Sequence, residues 1–494
     1  VTLQQLDPGI HLPDPLGRPG WAEPPFILEQ PGLYRLTENV VTPGIAVIIR
    51  SPYVTLDLGG RTVSAGTDTP ATAIVSIDSM LAPHSVVVRN GILTGRAEWA
   101  IQASGTPPNL ARLIRVEDVT VMPKAITGII SEPALHQGFL LGPMSRVVRC
   151  RVLHHPFGAP NQSGGYPDVD PGGRGLVLSA SAYVSQVEMD AASISMGSGS
   201  FLERASIKNY KAKQLAGGIV EGAYSLSVGS HSVVRDIVSR PSGGDSPFLI
   251  GQGVRLDDFT VELGTISGSA AFLDGALVTR MRSEATGLHF FAHALRLDDV
   301  TLRGRLAHYQ GAKAAHFSDL SLENTFGLFT TDTTLVAPRG SFIRDSTLEG
   351  GSVTLGSTAF TPDPLHPEAF VRIEDSVLSG GRLFLARLPV GSLAINNRFT
   401  NIPGVGLHLA AGGLVRGNLF ANEPDPFSIR GEGVEFLGVG SFLLENQFHH
   451  LATAHSGLLV GVARGPWVEP PVFNADLSPH HNAFFQIHSP PSTP

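Results

Sequence analysis

Between residues 289 and 339 the chain gathers side chains able to move a proton and hold an anion. They are His289, His293, Tyr309, Lys313 and Arg339, with His308 and His316 among them. Their spacing is regular when counted back from an acidic residue that recurs along the chain. His293 stands six before Asp299, Lys313 six before Asp319 and Arg339 six before Asp345, while His289 and Tyr309 each stand ten before theirs. If equal offsets mark equal places in successive turns of a repeating structure, His293, Lys313 and Arg339 form a basic column beside a His289–Tyr309 pair. Stacked cations lower one another's pKa, which suits Lys313 or His293 as a base near neutral pH. Arg339 stays charged, and its fork of donors matches the two oxygens of a carboxylate. The chemistry predicted is removal of a proton next to a carboxylate, with a cation neutralising the acid and a base taking the proton. The alternative is a set of solvated turn residues that happen to align.

A second group lies in the longest stretch without alternation, residues 154–174. It carries His154, His155, Tyr166 and Arg174, and the irregular segment after it adds Tyr210, Lys211 and Lys213. A loop of this length in a compact repeat is usually functional or disordered, so these seven residues are expected to bind substrate as one wall of a cleft. Asp168 and Asp170 in the loop suit Ca²⁺, which takes six to eight oxygen ligands. Two carboxylates do not assert a site, and the metal requirement stays open.

The elements that must position these residues follow from one pattern. His293-Ala-Leu-Arg-Leu-Asp-Asp-Val-Thr-Leu-Arg-Gly304 alternates apolar and polar residues, turns at an acidic corner and alternates again. Leu113-Ile-Arg-Val-Glu-Asp-Val-Thr-Val121, Val254-Arg-Leu-Asp-Asp-Phe-Thr-Val261 and Val371-Arg-Ile-Glu-Asp-Ser-Val-Leu378 repeat it. Alternation with period two over so few residues predicts half-buried strands, and the interruption predicts a sharp bend. Asx residues tolerate the backbone of such a corner. Later copies place asparagine there, at Asn397, Asn418, Asn446 and Asn482. A variable repeat of strands and turns without helical periodicity is a β-solenoid. The acidic pairs Asp257-Asp258 and Asp298-Asp299 resemble the paired carboxylates of a glycoside hydrolase. They recur in one slot of many copies, which makes them scaffold.

This pattern resembles right-handed parallel β-helix proteins, the architecture of pectate lyases, polygalacturonases, alginate lyases and epimerases, and phage tailspikes. The resemblance implies an all-β, single-domain right-handed parallel β-helix of about sixteen coils over residues 26–488. An extended proline-rich arm, residues 1–25, precedes it and is expected to cover the edge of the first coil; a Pro/Ser tail, residues 489–494, follows. The Asn-x-Asp, Gly-His-Gly and Arg-x-Lys set of polygalacturonases is absent. Tyr166-Pro-Asp-Val-Asp-Pro171 is similar to the Tyr-Gly-Phe-Asp-Pro-His motif of alginate C5-epimerases but lacks its histidine, so no catalytic role carries over. The implied activity is β-elimination or epimerisation of a uronate polysaccharide. A non-catalytic carbohydrate-binding solenoid is the alternative and a glycoside hydrolase the third reading.

Composition narrows the partners. The net charge is −8 without a basic block, which speaks against nucleic acid and anionic membrane, and no apolar run reaches the length of a membrane span. The single cysteine, Cys150, sits in a strand-like segment and is expected to be buried and inert. The first residue is Val1, compatible with a removed leader, and the fold analogy suggests a secreted or cell-surface location. Oligomeric state has no signal in the sequence.

Overall fold

The structure, a computed structural model, describes residues 3–5, 24–66, 71–78, 85–104, 111–123, 137–153, 173–190, 192–208, 226–240, 248–262, 269–272, 275–283, 289–291, 296–304, 308–310, 316–324, 333–337, 341–350, 352–355, 371–380, 384–402, 404–410, 412–423, 431–436, 441–451, 453–457 and 483–485. Every regular element among them is a β-strand. No described helix is long and apolar enough to cross a membrane. The chain divides into two compact units, Val1–Gly268 and Ser269–Pro494.

In the first unit, strands far apart in sequence pair in parallel and in register. Val88, Val116, Val147, Val184, Leu202, Val234 and Leu256 follow one another across the strands of one sheet. All seven are buried. A second parallel sheet runs alongside, from Phe26–Leu28 through Val47–Ile49, Ala71–Asp78 and Ala97–Ser104 to Phe248–Ile250. The chain thus alternates between sheets, each coil laid on the last. Parallel crossovers of this kind take the right-handed sense. Burying each such aliphatic side chain stabilises the stack by roughly 1.5–3 kcal/mol. Leu3–Gln5 pairs antiparallel with Gly32–Leu36, Leu3 beside Leu36, on the edge of the first coil.

The second unit repeats the arrangement. Val278, Leu297, Phe317, Ile343, Ile373, Ala394, Val415 and Leu443 form its buried column. A separate six-stranded parallel sheet comprises Thr333–Ala337, Ser352–Leu355, Phe384–Leu388, Val405–Leu409, Glu432–Phe436 and Thr453–Gly457. The parallel β-helix read from the sequence is the fold of both units.

The acidic corners are left-handed, as the Asx reading requires. Asp118, Asp258, Asp299, Asp345 and Asp375 have φ between 46° and 52°, a region costly for most residues and more accessible to Asx. The asparagine copies need a correction. In the last coils the left-handed residues are Asn396, Gly417 and Glu445, each one position earlier. Asn397, Asn418 and Asn446 occupy the next slot, in register with Ser376, and point inward to full burial. An inward amide can donate to one coil and accept from another. Asn397 Nδ2 donates to Asn418 Oδ1 at 3.0 Å, and Asn418 Nδ2 to Asn446 Oδ1 at 3.0 Å. The backbone N–H of Ser376 donates to Asn397 Oδ1 at 3.1 Å and so extends the ladder. Beside it Phe399, Phe420 and Phe448 stack with centroids 4.6 and 5.1 Å apart. Asn482 lies outside the described residues.

Candidate functional site

Most residues expected to carry chemistry lie outside the described residues: His154, His155, Tyr166, Tyr210, Lys211, Lys213, His293, Lys313 and Arg339, and with them Asp168 and Asp170. Three are placed by their backbone. Arg174 stands between Gln137 and Ser193 in neighbouring strands. His289 stands beside His308, and Tyr309 beside Phe290. The His289–Tyr309 register is therefore off by one residue. A fixed offset from the corner fails once the turn between two sheets changes length by one.

The acidic slot before the corner behaves as scaffold. Asp257 lies 3.8 Å from Arg255, Ser318 Oγ donates to Asp298 at 2.8 Å, and Glu117 and Glu374 pair with Arg115 and Arg372. Glu203 is the most heavily bonded member. Its carboxylate accepts from Arg235 Nε at 3.0 Å, Tyr183 Oη at 2.7 Å, Arg204 Nη2 at 2.7 Å and Ser185 Oγ at 3.1 Å. Those bonds, Arg235 first, draw its pKa from an ordinary 4.5 to about 2. A carboxylate so completely engaged holds coils together and has no lone pair left for chemistry. Cys150 is buried, and burial pushes its thiol up to about 12, which makes it inert.

A different arrangement stands on the six-stranded sheet of the second unit. Arg387, His408 and Glu435 are direct neighbours in three successive strands. Equal register at one strand spacing brings three side chains of different charge type to one place. Each strand buries two consecutive residues before this slot, Leu385–Ala386, Gly406–Leu407 and Gly433–Val434. The Cβ position of Gly406 points at Phe420 and Ile402 in the interior. Alternation is therefore broken, and the residues on both sides of each pair, Glu432 and Glu435 included, leave the core on its outer side.

His408 Nδ1 lies 2.7 Å from Glu435 Oε2. Burial lowers the histidine's pKa below its usual 6.5; Glu435 opposes this and the Arg387 charge reinforces it. At neutral pH the ring is an uncharged base with Nδ1 turned to the carboxylate, so Nε2 is the basic nitrogen. Glu432 is shifted in the opposite direction to Glu203. It is half-buried, its Oε1 is buried without a hydrogen-bond partner among the described residues, and its pKa rises from 4.5 to about 7, first by burial and then by the charge of Glu435. Among the described residues no group of three or more His, Cys, Asp or Glu has metal-holding geometry.

No family model matches the chain, and no curated protein does. Among solved structures it is similar to the Azotobacter vinelandii mannuronan C-5 epimerase AlgE6 A-module, at 12% identity and a TM-score of 0.19, covering 95% of this chain and 90% of that one. A mannuronic acid-specific polysaccharide family 6 lyase from human gut microbiota matches at 13% and 0.22, covering 85% and 91%. The AlgE4 A-module of Azotobacter vinelandii matches at 11% and 0.21, covering 88% and 89%. The fold rests on the strand register. The candidate site rests on Arg387, His408, Glu432 and Glu435, none of which the sequence reading singled out. The available signal was a shared five-residue frame, Phe384-Leu-Ala-Arg-Leu388, Val405-Gly-Leu-His-Leu409 and Glu432-Gly-Val-Glu-Phe436, with a polar residue fourth in each and a second, Glu432, first in the last.

Proposed function

We propose that this β-helix protein is a polysaccharide-active enzyme that removes the proton α to the carboxylate of a uronate residue, giving β-elimination or epimerisation. The observation that carries the reading is the Arg387–His408–Glu435 row in successive coils. A uronate α-proton is weakly acidic, and its removal needs a cation to take up charge on the carboxylate and a base matched to neutral pH. Arg387 supplies the cation, His408 Nε2 the base, and Glu435 orients the ring from Nδ1. The solved structures named above act, by their titles, on mannuronan or mannuronic acid polymers, and the proposed substrate belongs to that class. His293, Lys313, Arg339, His289 and Tyr309 are proposed as a second catalytic set, with Lys313 or His293 as base and Arg339 as the carboxylate clamp. The residues His154, His155, Tyr166, Arg174, Tyr210, Lys211 and Lys213 are proposed substrate contacts. A secreted or cell-surface location is proposed with the substrate.

A hydrolase is the second reading, favoured by two carboxyls, Glu432 and Glu435, on one strand, with the pKa of Glu432 raised. Against it stands the engagement of Glu435 with His408. The test is incubation with alginate, pectate, glucuronan and glycosaminoglycans, following both the absorbance of unsaturated uronate and the release of reducing ends. Unsaturated product from the wild type and none from His408→Ala is expected. Reducing ends without that absorbance point to the hydrolase. Binding without change of any polymer points to a carbohydrate-binding solenoid.

A further inference from the structure

We infer that Glu432 is the general acid of this site and that the reaction is therefore elimination rather than epimerisation. The inference rests on the proton-abstraction reading above and adds a residue and a reaction class to it. Three observations carry it. Glu432 and Glu435 leave the outer side of one strand on either side of the buried Gly433–Val434 pair, so Glu432 stands on the His408 side of the sheet. Its backbone is fixed there, Glu432 N donating to Gly404 O at 2.6 Å. Its Oε1 is buried with no hydrogen-bond partner among the described residues, an arrangement that a protonated carboxyl tolerates better than a carboxylate. Burial and the neighbouring Glu435 charge hold the acid form up to a pKa of about 7. The charged group that acts on it is Glu435, which in turn lies 2.7 Å from His408 Nδ1.

An acid and a base on one side of a sugar serve a single-faced elimination. Epimerisation needs a proton returned from the opposite face. The step balances as follows. His408 Nε2 takes the C5 proton, the C5–H electrons become the C4=C5 double bond, and the C4–O4 bond breaks. O4 receives the proton of Glu432 and leaves as the hydroxyl at the reducing end of the released chain. Glu432 is left as a carboxylate and His408 as imidazolium; one proton passes back through solvent before the next turnover.

The experiment compares wild type, Glu432→Gln, Glu432→Asp and His408→Ala on the uronate polymer and on a short uronate carrying fluoride at C4, whose departure needs no proton. On the polymer, Glu432→Gln should lose about a hundredfold or more in kcat, with KM little changed and the alkaline limb of the pH profile gone. Glu432→Asp, which keeps an acid, should retain part of the rate. On the fluoride substrate Glu432→Gln should match wild type while His408→Ala stays inactive. Glu432→Gln equally slow on both substrates, with intact circular dichroism, would make the residue structural and overturn the inference. Deuterium entering C5 of uncleaved polymer in heavy water would mean epimerisation, overturning the inference while leaving the proton-abstraction reading standing. A wild type inert on both substrates, in cleavage and in exchange, overturns both.

Discussion

Glu203 and Glu432 are the same residue on the outer side of parallel sheets in the two units, and they titrate in opposite directions. Glu203 receives hydrogen bonds from Arg235, Tyr183, Arg204 and Ser185 and is held near 2. Glu432 has a buried oxygen without a hydrogen-bond partner among the described residues, feels the charge of Glu435 and is held near 7. At Glu203 the hydrogen bonds outweigh burial; at Glu432 burial is the first cause of the rise and the Glu435 charge adds to it. In a solenoid every outward slot is repeated many times, so charges compensated by the next coil are the rule: Arg149 on Asp118, Arg151 on Glu188, Arg416 on Glu445. Among the described residues Glu432 Oε1 is a buried carboxyl oxygen without a hydrogen-bond partner, and Glu432 lies on the strand that carries Glu435, the partner of His408. That contrast separates scaffold from candidate chemistry.

The comparison is broken most severely by removing the base. His408→Ala should lower kcat by about 10²–10⁴-fold while leaving the unfolding temperature almost unchanged; Glu203→Gln should leave kcat as it is. Loss of activity in Glu203→Gln as well would mean that Glu203 is more than scaffold.

Next in size is the interior ladder. Asn418 donates to Ala394 O at 2.8 Å and to Asn446 Oδ1 at 3.0 Å, and its own Oδ1 accepts from Asn397. Asn418→Ala leaves buried partners without a bond and opens a gap, costing about 2–4 kcal/mol, read by denaturant unfolding. Glu203→Gln should cost less, about 1–2 kcal/mol, because its arginine partners are half exposed and screened by solvent.

The smallest effects are in the pH dependence of stability. Glu203 binds its proton less readily when folded, so its contribution is complete above about pH 4.5 and is lost as the pH falls toward 2. Glu432 binds its proton more readily when folded, so stability declines as the pH rises from about 4.5 to 7 and is level beyond. Glu203→Gln should remove the first slope and Glu432→Gln the second, in thermal unfolding followed across pH. An unchanged second slope in Glu432→Gln would place the titrating group elsewhere.

The strand alternation and the acidic corners made the fold legible, because both are local: an apolar column needs period two, and a left-handed residue favours Asx. Arg149, Gln186, Arg204 and Arg280 take the same left-handed backbone without being Asx, so those coils carried no marker. The asparagines misled by one position because Asx suits both a corner and an inward ladder, and only the register separates the two. The row on the six-stranded sheet stayed hidden for a different reason. Arg387, His408 and Glu435 lie 21 and 27 residues apart, and coils of unequal length give no constant offset. Each is an ordinary polar residue in its own strand, and stacking creates the combination.

The most direct test of the account is the kinetic isotope effect at the bond it says is broken. A uronate oligomer carrying deuterium at C5 should turn over more slowly than its light counterpart with wild type, and unsaturated product should be absent with His408→Ala. Equal rates for the two isotopologues, together with full activity in His408→Ala, would contradict the assignment of proton transfer to this site.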